Sequence, residues 1–192
     1  MRARLALASS QQGVELREVV LREKPVEFLA ASPSATVPCL VQCESVLDES
    51  LDVMVWALER NDPEGWLDMP EAGWKLIERC DGPFKSALDR TKYATRYTDS
   101  DPLEQRSLAI EFLSDLDAQL GDWLFERPSI ADFAILPFVR QFAFIDKAWF
   151  DAQPWPKLKP WLESFIASDR FRSIMQKYPK WTRGDEPVWF PS

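Results

Sequence analysis

The chain has 192 residues, 46% of them hydrophobic and 28% charged, a balance that suits a globular protein with a packed core. A formal net charge of −8, with basic residues scattered along the chain, argues against general affinity for nucleic acid or an anionic membrane. The absence of His and the sparse set Cys39, Cys43 and Cys80 remove most zinc and haem options, so no metal is expected and a reducing, cytoplasmic setting is.

The opening Met1-Arg2-Ala3-Arg4-Leu5-Ala6-Leu7-Ala8 imitates a signal peptide, but its apolar run falls well short of the roughly 7–15 residues one requires. Nothing later approaches the ~18 apolar residues of a membrane-spanning helix. Arg2 to Ser9 is helical in composition and ends before the turn Gln11-Gln12-Gly13. Val14 to Leu21 is β-branched and apolar enough for a strand. Pro25 opens a short helix through Ala30, since proline is tolerated in a first helical turn, and Ser32-Pro33-Ser34 ends it. Val37 to Gln42 and Glu44 to Leu47 read as two strands joined by almost no loop, hence antiparallel. Leu51, Met54, Val55 and Leu58 recur at helical spacing, which predicts an amphipathic helix over 49–60.

A polar breaker, Asn61-Asp62-Pro63-Glu64-Gly65, divides this mixed part from a second part with helical periodicity almost throughout. The expected division is therefore 1–61, a linker at 62–68, and an all-helical domain at 69–192. Within the last, Ala109, Phe112, Leu113, Leu116 and Leu120 form one stripe. Leu158, Trp161, Leu162, Phe165 and Ile166 form a second, and Phe171, Ile174, Met175 and Tyr178 a third. Ile130 to Phe144 is apolar on nearly all sides, the mark of a central helix, and Ser129 with Asp132 opens it as a near capping box. Asp132 reads as structural. Pro137 inside that helix removes a backbone bond or bends it. Pro179 to Ser192 reads as an extended tail over the helices.

The first part runs helix–strand–helix–strand–strand–helix, a thioredoxin-like α/β domain whose first strand is missing. A chain that enters on the helix of a βαβ unit has that unit incomplete. The expectation is that the start lies upstream or that the chain is a fragment. With the helical second half, this order resembles the glutathione S-transferase superfamily over essentially the whole chain. Leu21-Arg22-Glu23-Lys24-Pro25, then Thr36-Val37-Pro38, then Glu49-Ser50 look most like its omega-type and bacterial cysteine- or serine-type members. Pro128-Ser129-Ile130-Ala131-Asp132 matches the structural motif of the family's second domain.

The resemblance implies glutathione as co-substrate and assigns roles to particular residues. Pro38 is cis and aims the backbone of Val37 at the cysteinyl unit. Ser50 holds the γ-glutamyl carboxylate at a helix tip that favours anions. Glu49 pairs with the γ-glutamyl ammonium, and Lys24 meets the peptide from its other flank. Read without the resemblance, Val37-Pro38 is an ordinary strand start, Glu49-Ser50 plain helix-start chemistry, and Lys24 a solvated lysine. Trp66, Tyr93 and Tyr97 are candidates for a substrate pocket between the domains. The reactive Cys or Ser of the family falls a few positions before Met1, and none of Cys39, Cys43 and Cys80 takes its place. Cys39 reads as a small buried hydrophobe.

The implied activity is transfer or exchange of glutathione's thiol with a small hydrophobic electrophile or a glutathionyl disulfide, by a homodimer. Two other readings stand beside it: a non-catalytic protein-interaction module on the same fold, since fold does not fix function, and an inactive truncated remnant.

Overall fold

The computed structural model describes residues 1–43, 45–97 and 101–191. Glu44, which opens the strand expected at 44–47, and Ser192, the end of the expected tail, lie outside the described residues. The chain forms two compact units, Met1–Leu67 together with Arg170–Ser192, and Asp68–Asp169.

The first unit opens with α1 (Arg2–Ser10), which ends where Gln11 takes a left-handed conformation, φ 54°. It packs against α3 (Ser50–Arg60). Leu5, Ala6 and Leu7 are buried on α1, and Val53, Met54, Ala57 and Leu58 on α3. Full burial of a Met54- or Leu58-sized side chain is worth roughly 1.5–3 kcal/mol. The buried face of α3 is thus rotated from the expected stripe, because Leu51 and Val55 are only half-buried. Two overlapping apolar stripes were available at helical spacing, and packing against α1 selects the one that carries Ala57.

The strands are shorter than their propensity predicts. Of the stretch 14–21, only β1 (Val14–Glu15) is regular, and it pairs antiparallel with β4 (Trp189–Phe190) near the end of the chain. Glu18 bridges Lys180, and Val20 to Glu23 then closes a turn through Glu23 N–H on Val20 C=O at 2.8 Å. α2 (Val26–Ala31) starts after Pro25, as the fixed φ of proline favours, and buries no residue. β2 (Leu40–Val41) and β3 (Val46–Leu47) are antiparallel, with Leu40 opposite Leu47 and Val41 opposite Val46. β-Branched residues supply strand propensity, but a ladder also needs a partner backbone, and the described one ends after two residues on each strand.

The breaker after α3 is a built turn. The Asp62 carboxylate accepts the N–H groups of Trp66 and Leu67, both at 2.8 Å, and Gly65 takes φ 67°. Glu64 receives Arg170 in a two-point pair at 3.0 and 2.6 Å, and the Ser9 hydroxyl at 2.6 Å. Residues 170–192 were expected with the helical domain. By contacts they group with the first unit, because their backbone pairs with the segment 14–18 and their side chains with residues along 4–27.

The second unit is helical. α4 (Glu71–Arg79) passes through a π turn (Cys80–Phe84) into α5 (Lys85–Lys92), and a 3₁₀ turn follows at Ala94–Arg96. Then come α6 (Pro102–Gln119), α7 (Ile130–Ala143), α8 (Lys147–Asp151) and α9 (Leu158–Ala167). The stripe Ala109, Phe112, Leu113, Leu116 and Leu120 is buried throughout. On α9, Leu158, Trp161, Leu162 and Phe165 are buried and Ile166 half-buried. α7 is the expected central helix, buried continuously from Ile130 to Pro137 and again at Val139, Phe142 and Ala143. It stays helical through Pro137, whose missing N–H leaves one backbone bond unformed. Phe84 stacks on Phe112 with ring centroids 4.7 Å apart, joining the π turn to α6.

α10 (Asp169–Ile174) begins at the end of the second unit and runs into the first. The third expected stripe stops there. Ile174 is buried while Met175, past the end of α10, is exposed, and Arg4 donates to the carbonyls of Ile174 and Gln176 at 3.2 and 3.1 Å. Among the described residues no helix is long and apolar enough to cross a membrane, and no cluster of His, Cys, Asp or Glu is arranged for a metal ion.

Candidate functional site

Lys24, Val37, Pro38, Glu49 and Ser50 all belong to the first unit. The peptide bond between Val37 and Pro38 is cis. Val37 is 48% exposed and lies ahead of the ladder, which begins at Leu40. The loop that delivers it is braced by hydroxyls. Ser32 at the end of α2 is buried and donates its N–H to Phe28 C=O. Ala35 takes φ 53°, with its N–H on Ser32 C=O at 3.2 Å. The Ser34 and Thr36 hydroxyls lie 2.5 Å apart, and Thr36 N–H donates to Ser34 Oγ at 3.2 Å.

Asp48 ties this loop to the start of α3. Its carboxylate accepts the Ser34 N–H at 3.1 Å, and the Ser34 hydroxyl and N–H hold its pKa below the usual carboxylate value. The sequence sets Asp48 beside Glu49 and Ser50 at the helix start, but the resemblance assigns roles to the latter two alone. The one signal for the Asp48 contact was the Ser-x-Ser-x-Thr run at Ser32, Ser34 and Thr36, which needs an acceptor nearby.

Glu49 is the N-cap residue of α3, with extended backbone at φ −99° and ψ 134°, and Ser50 opens the helix. Among the described residues no side chain caps the first amides of α3. Glu49 is exposed and Ser50 half-buried. Asp48, Glu49 and Asp52 crowd carboxylates around a helix end that itself carries partial positive charge. The result is a half-buried hydroxyl and uncapped amides beside acidic groups, a donor set matched to a zwitterion: amides and hydroxyl for a carboxylate, carboxylates for an ammonium.

Lys24 is half-buried in the segment between β1 and α2, just ahead of Pro25. Cys39, next to the cis bond, is held as a thiol, because burial raises its pKa against the opposing hydrogen bond with Ser32. That favours the inert state over a nucleophilic thiolate. Cys39 is half-buried rather than core, Cys43 is exposed and Cys80 is buried, and all three are free.

Of the three pocket candidates, Trp66 belongs to the first unit and Tyr93 and Tyr97 to the second. Trp66 is fully buried in the first unit with the Arg170 guanidinium 5.0 Å from its ring, so it serves as core. Tyr93 and Tyr97 belong to the second unit and are half-buried. Arg96 lies 4.6 Å from the Tyr93 ring and Arg90 5.0 Å from that of Tyr97. Tyr97 borders an open cavity of about 270 Å³ with Lys85, Asp89 and Asp81, whose walls are mainly polar.

Ser129 and Asp132 form the expected capping box of α7. Asp132 accepts the N–H and hydroxyl of Ser129, each at 2.9 Å, and the N–H of Leu124 at 2.9 Å. Burial nevertheless raises its pKa, outweighing these hydrogen bonds.

Two family models match the chain: the glutathione S-transferase N-terminal domain over residues 1–65 and the glutathione S-transferase C-terminal domain over residues 64–164. Solved structures share the fold at low identity. A glutathione transferase family member from Pseudomonas fluorescens, with two glutathione bound, is 23% identical with a TM-score of 0.74, over 90% of this chain and 86% of that one. Glutathione S-transferase III in apo form is 20% identical with a TM-score of 0.68, over 93% of both chains. Glutathione transferase F7 from Populus trichocarpa is 18% identical with a TM-score of 0.71, over 90% and 91%. No curated protein matches the sequence.

Proposed function

The chain belongs to the glutathione S-transferase family, and from that premise we propose that it binds glutathione and transfers or exchanges its thiol with an apolar electrophile or a glutathionyl mixed disulfide. The observation that carries this reading is the uncapped start of α3, where Glu49 and Ser50 stand exposed or half-exposed while neighbouring Asp48 is committed to the loop before Val37. Ser50 and the first amides of α3 hold the γ-glutamyl carboxylate. Glu49, with Asp52 one turn on, takes the ammonium. Val37 offers its exposed backbone to the cysteinyl unit, and Lys24 closes the other flank. A charge-assisted hydrogen bond contributes ~1.5–3 kcal/mol, so each such contact shifts the affinity by roughly ten- to a hundredfold. A homodimer working in a reducing, cytoplasmic setting belongs to the same proposal; three free cysteines accord with that setting.

A second reading, a non-catalytic interaction module, draws on a different observation. α2 buries nothing and leaves Val26 and Leu29 exposed, 74% and 48%, as a partner-binding face would.

Calorimetric titration with glutathione tests the site. The chain is expected to bind and Ser50→Ala to weaken binding by about tenfold or more, the loss of one hydrogen bond to a charged group. Equal affinity in the two, or no binding by either, sinks the assignment. Turnover of an activated aromatic halide with glutathione would exclude the non-catalytic module.

A further inference from the structure

The last strand of the first unit lies along the segment that leads to Lys24. Val14 and Glu15 pair with Phe190 and Trp189, Leu16 N–H donates to Val188 C=O at 2.7 Å, and Trp181 N–H donates to Glu18 C=O at 2.9 Å. Arg4 secures the near end, holding Glu18 at 2.7 Å and the carbonyls of Ile174 and Gln176. Beyond Glu18 the contacts pass to side chains. Arg17 lies over the Trp181 ring at 4.7 Å, Lys180 pairs with Glu23 at 2.7 Å, and Arg183 faces Glu27 at 3.9 Å. Glu23 and Glu27 stand on either side of Lys24 and Pro25, so the loop that carries Lys24 is gripped at both of its ends.

We propose that residues 178–190 are a positioning strap for glutathione: Lys180, through Glu23, and Arg183, through Glu27, fix the loop that presents Lys24 to the bound tripeptide. The inference rests on the glutathione reading above and adds to it residues more than 150 positions away in sequence. The loop needs such a fixture. α2 buries no side chain, and Leu21 and Val26 flank Lys24 while exposed at 58% and 74%, so local packing holds the loop weakly. A lysine on a loop that samples many positions loses part of its interaction energy to ordering, and a prior restraint recovers it. Each restraining pair is exposed and therefore individually modest. The effect is one of affinity, with no part in the chemical step.

The test is a mutant cycle read by glutathione titration on the full chain, with thermal midpoint as a control for folding. Lys180→Glu is expected to weaken binding about 2- to 5-fold, the range an exposed pair supports. The swap Lys180→Glu with Glu23→Lys restores it. In a Lys24→Ala background Lys180→Glu has no further effect, whereas a purely structural strap would weaken binding equally in both backgrounds. Unchanged affinity in Lys180→Glu, or the same loss with and without Lys24, overturns the strap while Ser50→Ala still shows its own loss. Failure of the parent chain to bind, or of Ser50→Ala to weaken it, overturns the glutathione site and the strap together.

Discussion

A single carboxylate, Asp132, closes three hydrogen bonds inside the second unit, to Ser129 N–H, Ser129 O–H and Leu124 N–H. Its replacement by alanine leaves the donors of Leu124 and Ser129 buried without an acceptor. Asp132→Ala is expected to cost about 2–4 kcal/mol, the sum of such losses, read as a shift in urea midpoint with little change in slope. The Ser129–Asp132 half of this network was legible in sequence, because a capping box is a three-residue spacing ahead of an apolar run. The Leu124 half was not, since it depends on how the chain folds back between α6 and α7. The candidate binding site divides the same way. Glu49 and Ser50 were readable from the helix start they occupy. The Asp48 contact was not, because its partner Ser34 lies fourteen residues earlier. Trp66 was ambiguous in sequence for a related reason: an aromatic beside a breaker reads equally as pocket wall or core, and in the structure it is fully buried beside the Arg170 guanidinium.

The central helix α7 emerged from sequence close to its observed limits, and elements held by partners did not. α6 and α7 bury what their periodicity predicts, while the strands shrink to two residues each because propensity says nothing about the length of a ladder. The π turn between α4 and α5 left no trace. Gly73, Leu76 and Ile77 before it, Cys80 and Phe84 within it, and Ala87, Leu88 and Thr91 after it are all buried. Pro83 within the turn has no N–H to offer, and Lys85 N–H reaches back to Cys80 C=O. Gly82 sits at the exposed side of that turn, and a Cβ built on it meets nothing within 4 Å. Glycine costs helical segments roughly 0.5–1 kcal/mol relative to alanine, but Gly82 precedes Pro83, whose Cδ disfavours helical backbone for a residue that has a Cβ, so the two effects oppose and Gly82→Ala is expected to change stability by less than about 0.5 kcal/mol. Gly73→Ala is the contrast. Its Cβ would lie within 3.0 Å of both Met69 and the Phe125 ring, and overpacking of that kind destabilises by about 1–3 kcal/mol. Denaturation curves in which Gly73→Ala loses stability and Gly82→Ala stays near the parent would tie α4 to a tight contact that the π turn lacks.

Across the molecule, the perturbed carboxylates fall on the two units with opposite sign. In the first unit Glu15, Glu23, Asp48 and Asp185 all have lowered pKa values, through hydrogen bonds from Arg17, Lys180, Ser34 and Thr182 respectively. Glu64 joins them: burial pushes it up, but Arg170, Ser9 and Trp66 together bring it below its usual 4.5. In the second unit the described carboxylate with a resolved shift is Asp132, raised above 3.8 chiefly by burial. A carboxylate held below its unfolded pKa contributes stability above that value and loses it as pH falls through the folded one. For these groups the loss begins below about 4.5 for glutamate and 3.8 for aspartate. Asp132 runs the other way: its contribution declines as pH rises from 3.8 through its folded value, and acidification restores it. Packing points in the same direction. The first unit rests on two-residue ladders and exposes Val20, Leu21, Val26, Leu29, Val37, Val41 and Trp189, whereas the second encloses α7 almost completely. Mild acid is therefore expected to open the first unit while the second remains folded. Hydrogen exchange followed by mass spectrometry between pH 5 and pH 3, corrected for intrinsic rates, checks this: protection in 14–31 and 178–190 should fall first, and protection in α7 should persist. A single midpoint shared by both sets of peptides would show that the units unfold as one and that their opposed titrations do not govern acid stability. Neutralising Glu64 as Glu64→Gln should flatten the acid dependence of the first unit alone, since it removes the most enclosed of the lowered carboxylates and leaves Asp132 untouched.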